Sequence, residues 1–341
     1  CGYRFSKGWA NDQRVYFYTE FSEPILKSIL VEDSVFQKSI QEVKGKTSRA
    51  IFQFDLNPNT SLLIKTGISS VSIDNAKLNL ENDISGWDFE GVKKLADEKW
   101  NKELSNIEIK SSDINLLTTF YTALYHTMLA PIVFSDVNGK YKGADGKIYQ
   151  AKDYTKYSIF SLWDTFRAEH PLLTITQPHK VDDMINSMLS HYNEYGLLPV
   201  WELLGNETGT MIGYHAIPVI ADAILKGFNG FDIDLAYVAM KKSGMQDHLG
   251  LSTYKTLGYV ADYKAASPDS IGEVESVSKT LEYAYDDWCI AQVAKHLGKE
   301  EDYKYFSIRA EYYRNLFDPS TNFMRAKLIN GKWKTPFNPR S

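Results

Sequence analysis

Two segments of the sequence combine aromatic rings, carboxylates, an amide and histidines within short spans next to predicted helices. They are residues 158–173, SIFSLWDTFRAEHPLL, and residues 200–216, VWELLGNETGTMIGYHA. Aromatic faces can stack on sugar rings, while carboxylates and amides form hydrogen bonds with hydroxyl groups. This mixture suits the binding of a sugar better than the filling of a core. The sequence therefore indicates chemistry on carbohydrate.

Asp164 is the leading candidate for sugar binding in the first segment. A carboxylate can accept hydrogen bonds from two adjacent hydroxyl groups and so orient a hexose. Trp163 offers a stacking surface beside it, and Arg167 offers a cation that keeps it ionised. The alternative role for Asp164 is a helix cap. We predict that all three side chains line a sugar site.

The second segment places Glu202, Asn206 and Glu207 in a loop before a predicted helix. These side chains could line the pocket or only cap that helix, and the sequence leaves both roles open. His215 lies inside the following helical pattern, and His170 precedes a proline. Both histidines are interpreted as hydrogen-bonded core residues.

Glu282 and Asp286 are one helical turn apart and could form a pair of acidic groups. Charged flanks of outer helices show the same spacing, and we favour that interpretation. The chain contains no run of metal ligands of its own.

Composition limits the class of protein further. The 341 residues include 38 basic and 43 acidic residues, scattered along the chain, for a formal charge of −5. This pattern does not indicate nucleic-acid binding. No apolar stretch approaches the roughly 18 residues of a membrane-spanning helix. Only Cys1 and Cys289 are present, which excludes a disulfide scaffold, and Cys289 is predicted to be a buried thiol.

The first part of the chain alternates with a period of two residues, which is typical of β-strands. We predict strands over residues 14–21, 49–56 and 62–73. Both faces of the first strand carry large side chains, so a β-sandwich is favoured over a single open sheet. Residues 1–82 are therefore assigned to the C-terminal part of a β-sandwich.

From Trp87 onward the period changes to 3.6 residues, which predicts helices. Residues 83–110 are assigned to a helical linker and residues 111–341 to an incomplete (α/α)6 toroid. The predicted helices, with Gly196, Gly227, Gly244 and Gly298 as stops, cover residues 88–109, 114–130, 181–195, 211–225, 232–242, 278–297 and 300–317. A helical repeat array would show the same period, but no residue signature recurs at a fixed spacing.

Four motifs together resemble glycoside hydrolase family 92. They are residues 8–22, GWANDQRVYFYTEFS, residues 157–171, YSIFSLWDTFRAEHP, residues 205–216, GNETGTMIGYHA, and residues 281–288, LEYAYDDW. The resemblance implies an exo-acting α-mannosidase, mainly bacterial, with an N-terminal β-sandwich and a C-terminal (α/α)6 barrel. The substrates would be N-glycans or mannans.

The resemblance also carries expectations for the site. Asp164 matches the family aspartate that contacts the sugar at the cleaved position. Hydrolysis is expected to be inverting and to depend on a calcium ion that holds the mannose hydroxyls, with most ligands outside this chain. The general acid and base are expected beyond Ser341, so the chain is expected to lack both ends of the family's proteins. Location is expected to be periplasmic, cell-surface or secreted.

Two other functions stay open at this point. One is another (α/α)6 glycosidase of the trehalase or glucosidase type, against which the absence of those families' motif pairs argues. The other is an inactive fragment or a weak carbohydrate-binding remnant. No catalytic residue is assigned from the sequence.

Overall fold

A computed structural model describes residues 1–33, 35–37, 41–262 and 273–340 of the chain. The chain divides into two compact units. The first comprises Cys1–Phe5 and Arg14–Ser105, and the second comprises Ser6–Gln13 and Asn106–Ser341. The short N-terminal segment 6–13 therefore belongs to the second unit, although both of its neighbours in the chain belong to the first.

The first unit contains two three-stranded sheets. Their strands are β1 (Gly2–Ser6), β2 (Gln13–Phe21), β3 (Lys27–Glu32), β4 (Val35–Gln37), β5 (Arg49–Gln53) and β6 (Ile64–Ser69). The sheets have the orders β1-β2-β6 and β4-β3-β5. Phe21 of β2 contacts Phe52 of β5 with ring centroids 5.2 Å apart, so aromatic packing links the two sheets. The predicted strand at residues 14–21 is confirmed.

Two helices complete the first unit, α1 (Ile73–Asp83) and α2 (Phe89–Leu104). The predicted strand over residues 62–73 was wrong at its end, because Ser72 accepts a hydrogen bond from the Asn75 N–H and starts α1. Gly67 permits α1 to approach β6, since a Cβ at this position would lie 2.1 Å from the carbonyl oxygen of Ala76. Helix α2 has no buried residue, as predicted for a surface helix.

The second unit is mainly helical. Its helices are α3 (Ile114–His126), α4 (Leu162–Thr165), α5 (Glu169–Thr176), α6 (Pro178–Tyr195), α7 (Ala216–Leu225), α8 (Ile233–Met245), α9 (Leu251–Leu257), α10 (Ser276–His296) and α11 (Glu300–Arg309), followed by a 3-10 helix at Tyr312–Leu316. Short strands lie between them: β7 (Ile132–Val133), β8 (Lys140–Lys142), β9 (Ile148–Gln150), β10 (Tyr157–Ser158), β11 (Phe160–Ser161), β12 (Trp201–Glu202), β13 (Phe317–Asp318) and β14 (Phe323–Met324).

Helix α10 lies at the centre of the main hydrophobic core. It packs against α7, α8 and α11, and it contributes Ile290, Val293 and the buried thiol of Cys289. Helices α5 and α6 pack against each other at the side of the same core. The core therefore fixes α10 and α7, which also carry residues of the motifs described above.

Helix caps explain which boundaries could be predicted. Asp113 accepts hydrogen bonds from the Asn115 and Leu116 N–H groups and starts α3, and Asp232 caps α8 in the same way. Gly196 ends α6 in the left-handed conformation, with φ of 96°. Gly244 was predicted to end a helix, but α8 continues to Met245, since Gly244 does not adopt the left-handed conformation of a terminating glycine.

The described residues thus form a sheet-containing N-terminal region followed by a helical region, as predicted. Closure into a toroid and the predicted boundaries at residues 82 and 110 stay predictions. Among the helices that the structure describes, none combines the length and the apolarity needed to cross a membrane.

Candidate functional site

The two segments that suggested sugar chemistry are adjacent in the structure. Strand β11 pairs antiparallel with β12, which places Ser161 opposite Trp201 and Phe160 opposite Glu202. The motif at residues 8–22 reaches the same place, because the Asp12 N–H donates to Asn206 Oδ1 at 3.0 Å. The fourth motif lies on α10, where Glu282 accepts a hydrogen bond from Arg167 of the motif at residues 157–171. Residues 8–13 of the first motif and the other three motifs therefore meet within the second unit.

Asp164 is exposed on the one-turn helix α4, directly after β11. Its Oδ2 accepts a hydrogen bond of 2.6 Å from the Ser161 hydroxyl. Among the described residues, no other donor bonds to this carboxylate. One oxygen of Asp164 thus remains available for a hydroxyl group of a ligand.

Trp163 and Arg167 lie against each other beside Asp164. The guanidinium carbon of Arg167 lies 5.1 Å from the centroid of the Trp163 ring and 4.8 Å from that of Phe166, which are cation–π distances. The Trp163 indole N–H is buried and has no hydrogen-bond acceptor among the described residues. Arg167 donates to Glu282 Oε1 at 3.0 Å, so the structure pairs it with Glu282.

Glu202 is buried, and both oxygens of its carboxylate accept hydrogen bonds from other residues of the chain. It accepts hydrogen bonds from the Ser158 hydroxyl at 2.8 Å, the Ile159 N–H at 3.0 Å and the Gly205 N–H at 2.7 Å. These bonds hold the loop after β12 against residues 158–159.

Asn206 and Glu207 fix the same loop. The Asn206 amide donates to the carbonyl oxygens of Asp12, Leu203 and Leu204. Glu207 accepts from the N–H groups of Val200 at 2.8 Å and Gly209 at 2.7 Å.

Burial alone would raise the pKa of Glu207. His191, 3.5 Å away, and these backbone donors outweigh burial and lower the pKa. Glu207 therefore remains a carboxylate anchor of the loop.

An aromatic pair that the sequence analysis did not single out includes Trp201 of β12, which lies opposite Ser161 of β11. The ring centroids of Trp9 and Trp201 are 5.1 Å apart, and Trp9 is 59% exposed. An exposed indole can stack on a sugar ring. The signal in the sequence was one tryptophan in the motif at residues 8–22 and one in the segment 200–216, but 192 positions separate them, and only the fold shows that they pair.

Two titratable groups on α5 have pKa values set mainly by burial. Burial, with a smaller contribution from the charge of Asp164, raises the pKa of Glu169 to about 7. Burial lowers the pKa of His170 to about 4, so this histidine is neutral near pH 7. Its ring lies parallel to Phe160 in the core, as the sequence interpretation expected of a core histidine, but its Nε2 has no hydrogen-bond partner within the described part of the chain.

His215 lies between two carboxylates of α10. Its Nδ1 is 2.8 Å from Asp286 Oδ1, and its Nε2 is 3.3 Å from Glu282 Oε2. Burial alone would lower the pKa of His215, but the charges of Asp286 and Glu282 outweigh it and raise the pKa to about 9. The interpretation of Glu282 and Asp286 as a routine exposed helix flank was wrong, because Asp286 is fully buried and hydrogen-bonds to His215, while Glu282 lies within ion-pair distance of the same ring.

The described residues do not by themselves fit a metal site. No group of three or more His, Cys, Asp and Glu side chains among them could hold a metal ion. The expected calcium ion therefore stays a prediction.

The chain thus has a sheet-containing region followed by a helical region, with aromatic rings and an exposed carboxylate at the candidate site. Residues 1–69 match the Glycosyl hydrolase family 92 N-terminal domain, and residues 75–341 match the Glycosyl hydrolase family 92 catalytic domain. The chain belongs to glycoside hydrolase family 92. The resemblance seen in the four motifs is thereby confirmed, and the trehalase or glucosidase alternative is wrong.

Solved structures of the family are similar over almost the whole chain. The family GH92 α-mannosidase BT3965 from Bacteroides thetaiotaomicron is 41% identical over 99% of this chain, with a TM-score of 0.93, and has also been solved in complex with mannoimidazole. The inverting mannosidase BT2199 from the same organism is 31% identical over 98% of this chain, with a TM-score of 0.89.

A curated relative from Arthroderma benhamiae, described as an uncharacterized secreted glycosidase, is 29% identical over 83% of this chain. The chain spans 46% of the length of each solved relative just named and 35% of the curated one.

Proposed function

We propose that this chain contributes part of the mannose site of an exo-acting, inverting α-mannosidase. The observation that carries the proposal is the 41% identity, over 99% of the chain, to an α-mannosidase whose solved complex holds mannoimidazole. The relative described as an inverting mannosidase supports the stereochemical course. The substrates proposed are the terminal mannosides of N-glycans or mannans. The proposed architecture of the helical region is the (α/α)6 toroid of the resemblance.

Asp164 is the residue proposed to hold the terminal mannose. Its available oxygen can accept from one sugar hydroxyl while its second oxygen remains fixed by Ser161. Trp163 and Arg167 support this turn, and Trp9 with Trp201 offers an indole face for the sugar ring. Glu202, Asn206 and Glu207, predicted to bind substrate, are proposed to shape the same wall from behind.

Inverting hydrolysis needs one carboxyl group as the acid and one carboxylate as the base, roughly 6.5 to 9.5 Å apart. Glu202 and Glu207 are poor candidates because their oxygens already accept several hydrogen bonds from the chain. We propose no acid or base among the described residues. The resemblance expects both beyond Ser341, and that expectation stays untested, as does the idea that the chain acts only as a sugar-binding remnant.

Calcium dependence and export are proposed on the resemblance. The secreted glycosidase among the relatives supports export. The binding step proposed for Asp164 does not involve the ion.

Asp164→Asn in the native protein that carries this sequence tests the binding role. The amide keeps the shape but loses charge-assisted acceptance, which is worth about 1.5–3 kcal/mol, so kcat/KM for an α-linked mannobiose should fall roughly 10- to 150-fold. The melting temperature should stay unchanged because the side chain is exposed.

Asp234→Asn, on the exposed start of α8, is the matched control and should leave kcat/KM unchanged. Equal kcat/KM for wild type and Asp164→Asn would exclude Asp164 from the sugar site.

A further inference from the structure

A line of alternating charges runs from the core to the turn that carries Asp164. It begins at Asp286, which is fully buried, and passes through His215 and Glu282 to Arg167. The successive distances are 2.8, 3.3 and 3.0 Å. Arg167 is 49% exposed, so the line leads from the interior to the surface next to Asp164.

The buried end of this line is fixed at both oxygens. Asp286 Oδ2 accepts from the Tyr214 N–H at 2.9 Å, and Oδ1 binds His215 Nδ1. The His215 ring also stacks on Phe166, with centroids 4.1 Å apart and an interplanar angle of 15°. A Cβ at residue 213 would lie 2.2 Å from His215 Nε2, so Gly213 leaves the space that the ring occupies.

The outer end of the line fixes the Asp164 turn from two sides. The Arg167 guanidinium lies over the rings of Trp163 and Phe166, the residues on either side of Asp164 and Thr165. Helix α4 has only four residues, and no side chain caps the backbone N–H groups at its start. A helix this short is not stable through its own hydrogen bonds, so its position depends on such contacts.

We propose that Asp286, His215, Glu282 and Arg167 act as a positioning chain for Asp164, in which His215 is a doubly protonated link between the two carboxylates. A charged imidazole carries a proton on both nitrogens, so it can hydrogen-bond to Asp286 through Nδ1 and form an ion pair with Glu282, whose Oε2 lies 3.3 Å from Nε2 without a hydrogen bond. Glu282 held in this way presents its other oxygen to Arg167. The role in turnover rests on the proposed α-mannosidase function.

The charge of His215 follows from the groups around it. Two charged groups of α10 face it, Asp286 and Glu282. Arg167, which follows α4 in the chain, forms its ion pair with Glu282. Phe166 on the remaining face is neutral. The pKa of about 9 means that the link is present at neutral pH and is lost as the pH rises through about 9. Burial alone would raise the pKa of Glu282, but His215 and Arg167 outweigh it and lower the pKa.

The charged link is tested without any substrate, by the ring ¹⁵N shifts of His215. At about pH 8, where an ordinary histidine is neutral, both ring nitrogens should give imidazolium shifts, and they should titrate near pH 9. Glu282→Gln should lower this pKa because one of the two carboxylates is lost. Neutral imidazole shifts at about pH 8 in the wild type would overturn the proposal.

Positioning is tested by the kinetics of Glu282→Gln in the native protein. We expect kcat for an α-linked mannobiose to fall about 10-fold and KM to change less than about 3-fold, because Asp164 still binds the sugar but holds it less well oriented. The alkaline limb of the wild-type profile, near pH 9, should move to lower pH. Glu301→Gln, on the exposed side of α11, is the control and should change neither quantity.

The two measurements separate the possible failures. The ¹⁵N shifts could show an imidazolium at His215 while Glu282→Gln leaves kcat and the pH profile unchanged. That result would overturn the proposed positioning of Asp164 and would mean that the network only stabilises the fold. Absence of mannoside hydrolysis by the wild type would refute the proposed function and the role in turnover with it, whereas the charged link would still be supported by the ¹⁵N shifts.

Discussion

Asp164 and Glu202 flank the same small strand pair, yet their carboxylates have different surroundings. Asp164 is exposed and receives a single hydrogen bond, from Ser161. Glu202 is 2% exposed and receives hydrogen bonds from Ser158, Ile159 and Gly205. A carboxylate that already accepts several bonds from its own chain stabilises the loop, while one with an unused oxygen can serve a ligand.

Glu202→Gln should therefore reduce stability. One carboxylate oxygen becomes an NH₂ group that faces backbone donors, so a buried N–H loses its acceptor at a cost of about 1–3 kcal/mol. Urea denaturation of the wild type and the variant measures this loss. Glu301→Gln, with an exposed side chain, is the control and should lie within about 0.5 kcal/mol of the wild type. Equal stability of wild type and Glu202→Gln would show that the loop does not depend on this carboxylate.

At the scale of elements, α10 and α11 are joined by a buried ion pair. Asp287 accepts from Arg309 Nε at 2.8 Å and Nη2 at 3.0 Å, and also from the hydroxyl groups of Tyr214 and Tyr254. Arg309 in turn donates to the Gly244 carbonyl of α8. Burial disfavours the charged form of Arg309, but Asp287 outweighs it and raises the pKa of the guanidinium. Three helices therefore depend on one pair of charges.

Asp287→Asn should destabilise the helical unit by about 3–5 kcal/mol, because it leaves the buried guanidinium of Arg309 without its counter-charge. Chemical denaturation followed by far-UV circular dichroism measures the change. Glu300→Gln breaks an exposed pair with Lys304 on α11 and should cost less than about 1 kcal/mol. Comparable losses of stability in the two variants would show that the buried Asp287 pair stabilises the protein no more than the exposed Glu300 pair does.

The elements that could be predicted from the sequence are those with local signals. Asp88, Asp113 and Asp232 cap helices as their residue type predicts, and Gly196 ends α6. The helix predicted over residues 211–225 begins only at Ala216. Gly209 and Gly213 both have positive φ values in the preceding loop, and this backbone path has no signal in the hydrophobic period.

The candidate site was predictable only in part, for a physical reason. Residue types identified Asp164, Trp163 and Arg167 as a group because they are neighbours in the chain. The pairing of Trp9 with Trp201, the burial of Asp286 and the ion pair between Arg167 and Glu282 all depend on contacts between residues far apart in sequence. A period of 3.6 residues indicates that α10 is a helix, but it does not show which of its carboxylates face the core.

At the scale of the whole molecule, residues 1–69 and 75–341 match the two domains of one glycosidase family, and residues 8–13 meet the other three motifs in the helical unit. The chain spans less than half the length of its solved relatives, so the activity of the native protein is the quantity to test. An inverting α-mannosidase converts an α-mannoside into β-mannose, which then equilibrates slowly with the α-anomer.

The most direct measurement is therefore ¹H NMR of α-1,2-mannobiose during hydrolysis by the native protein that carries this sequence, with and without a calcium chelator. The proposed function predicts that β-mannose is the first product and that the chelator abolishes its release. α-Mannose as the first product, or no release of mannose with calcium present, would contradict the proposed function.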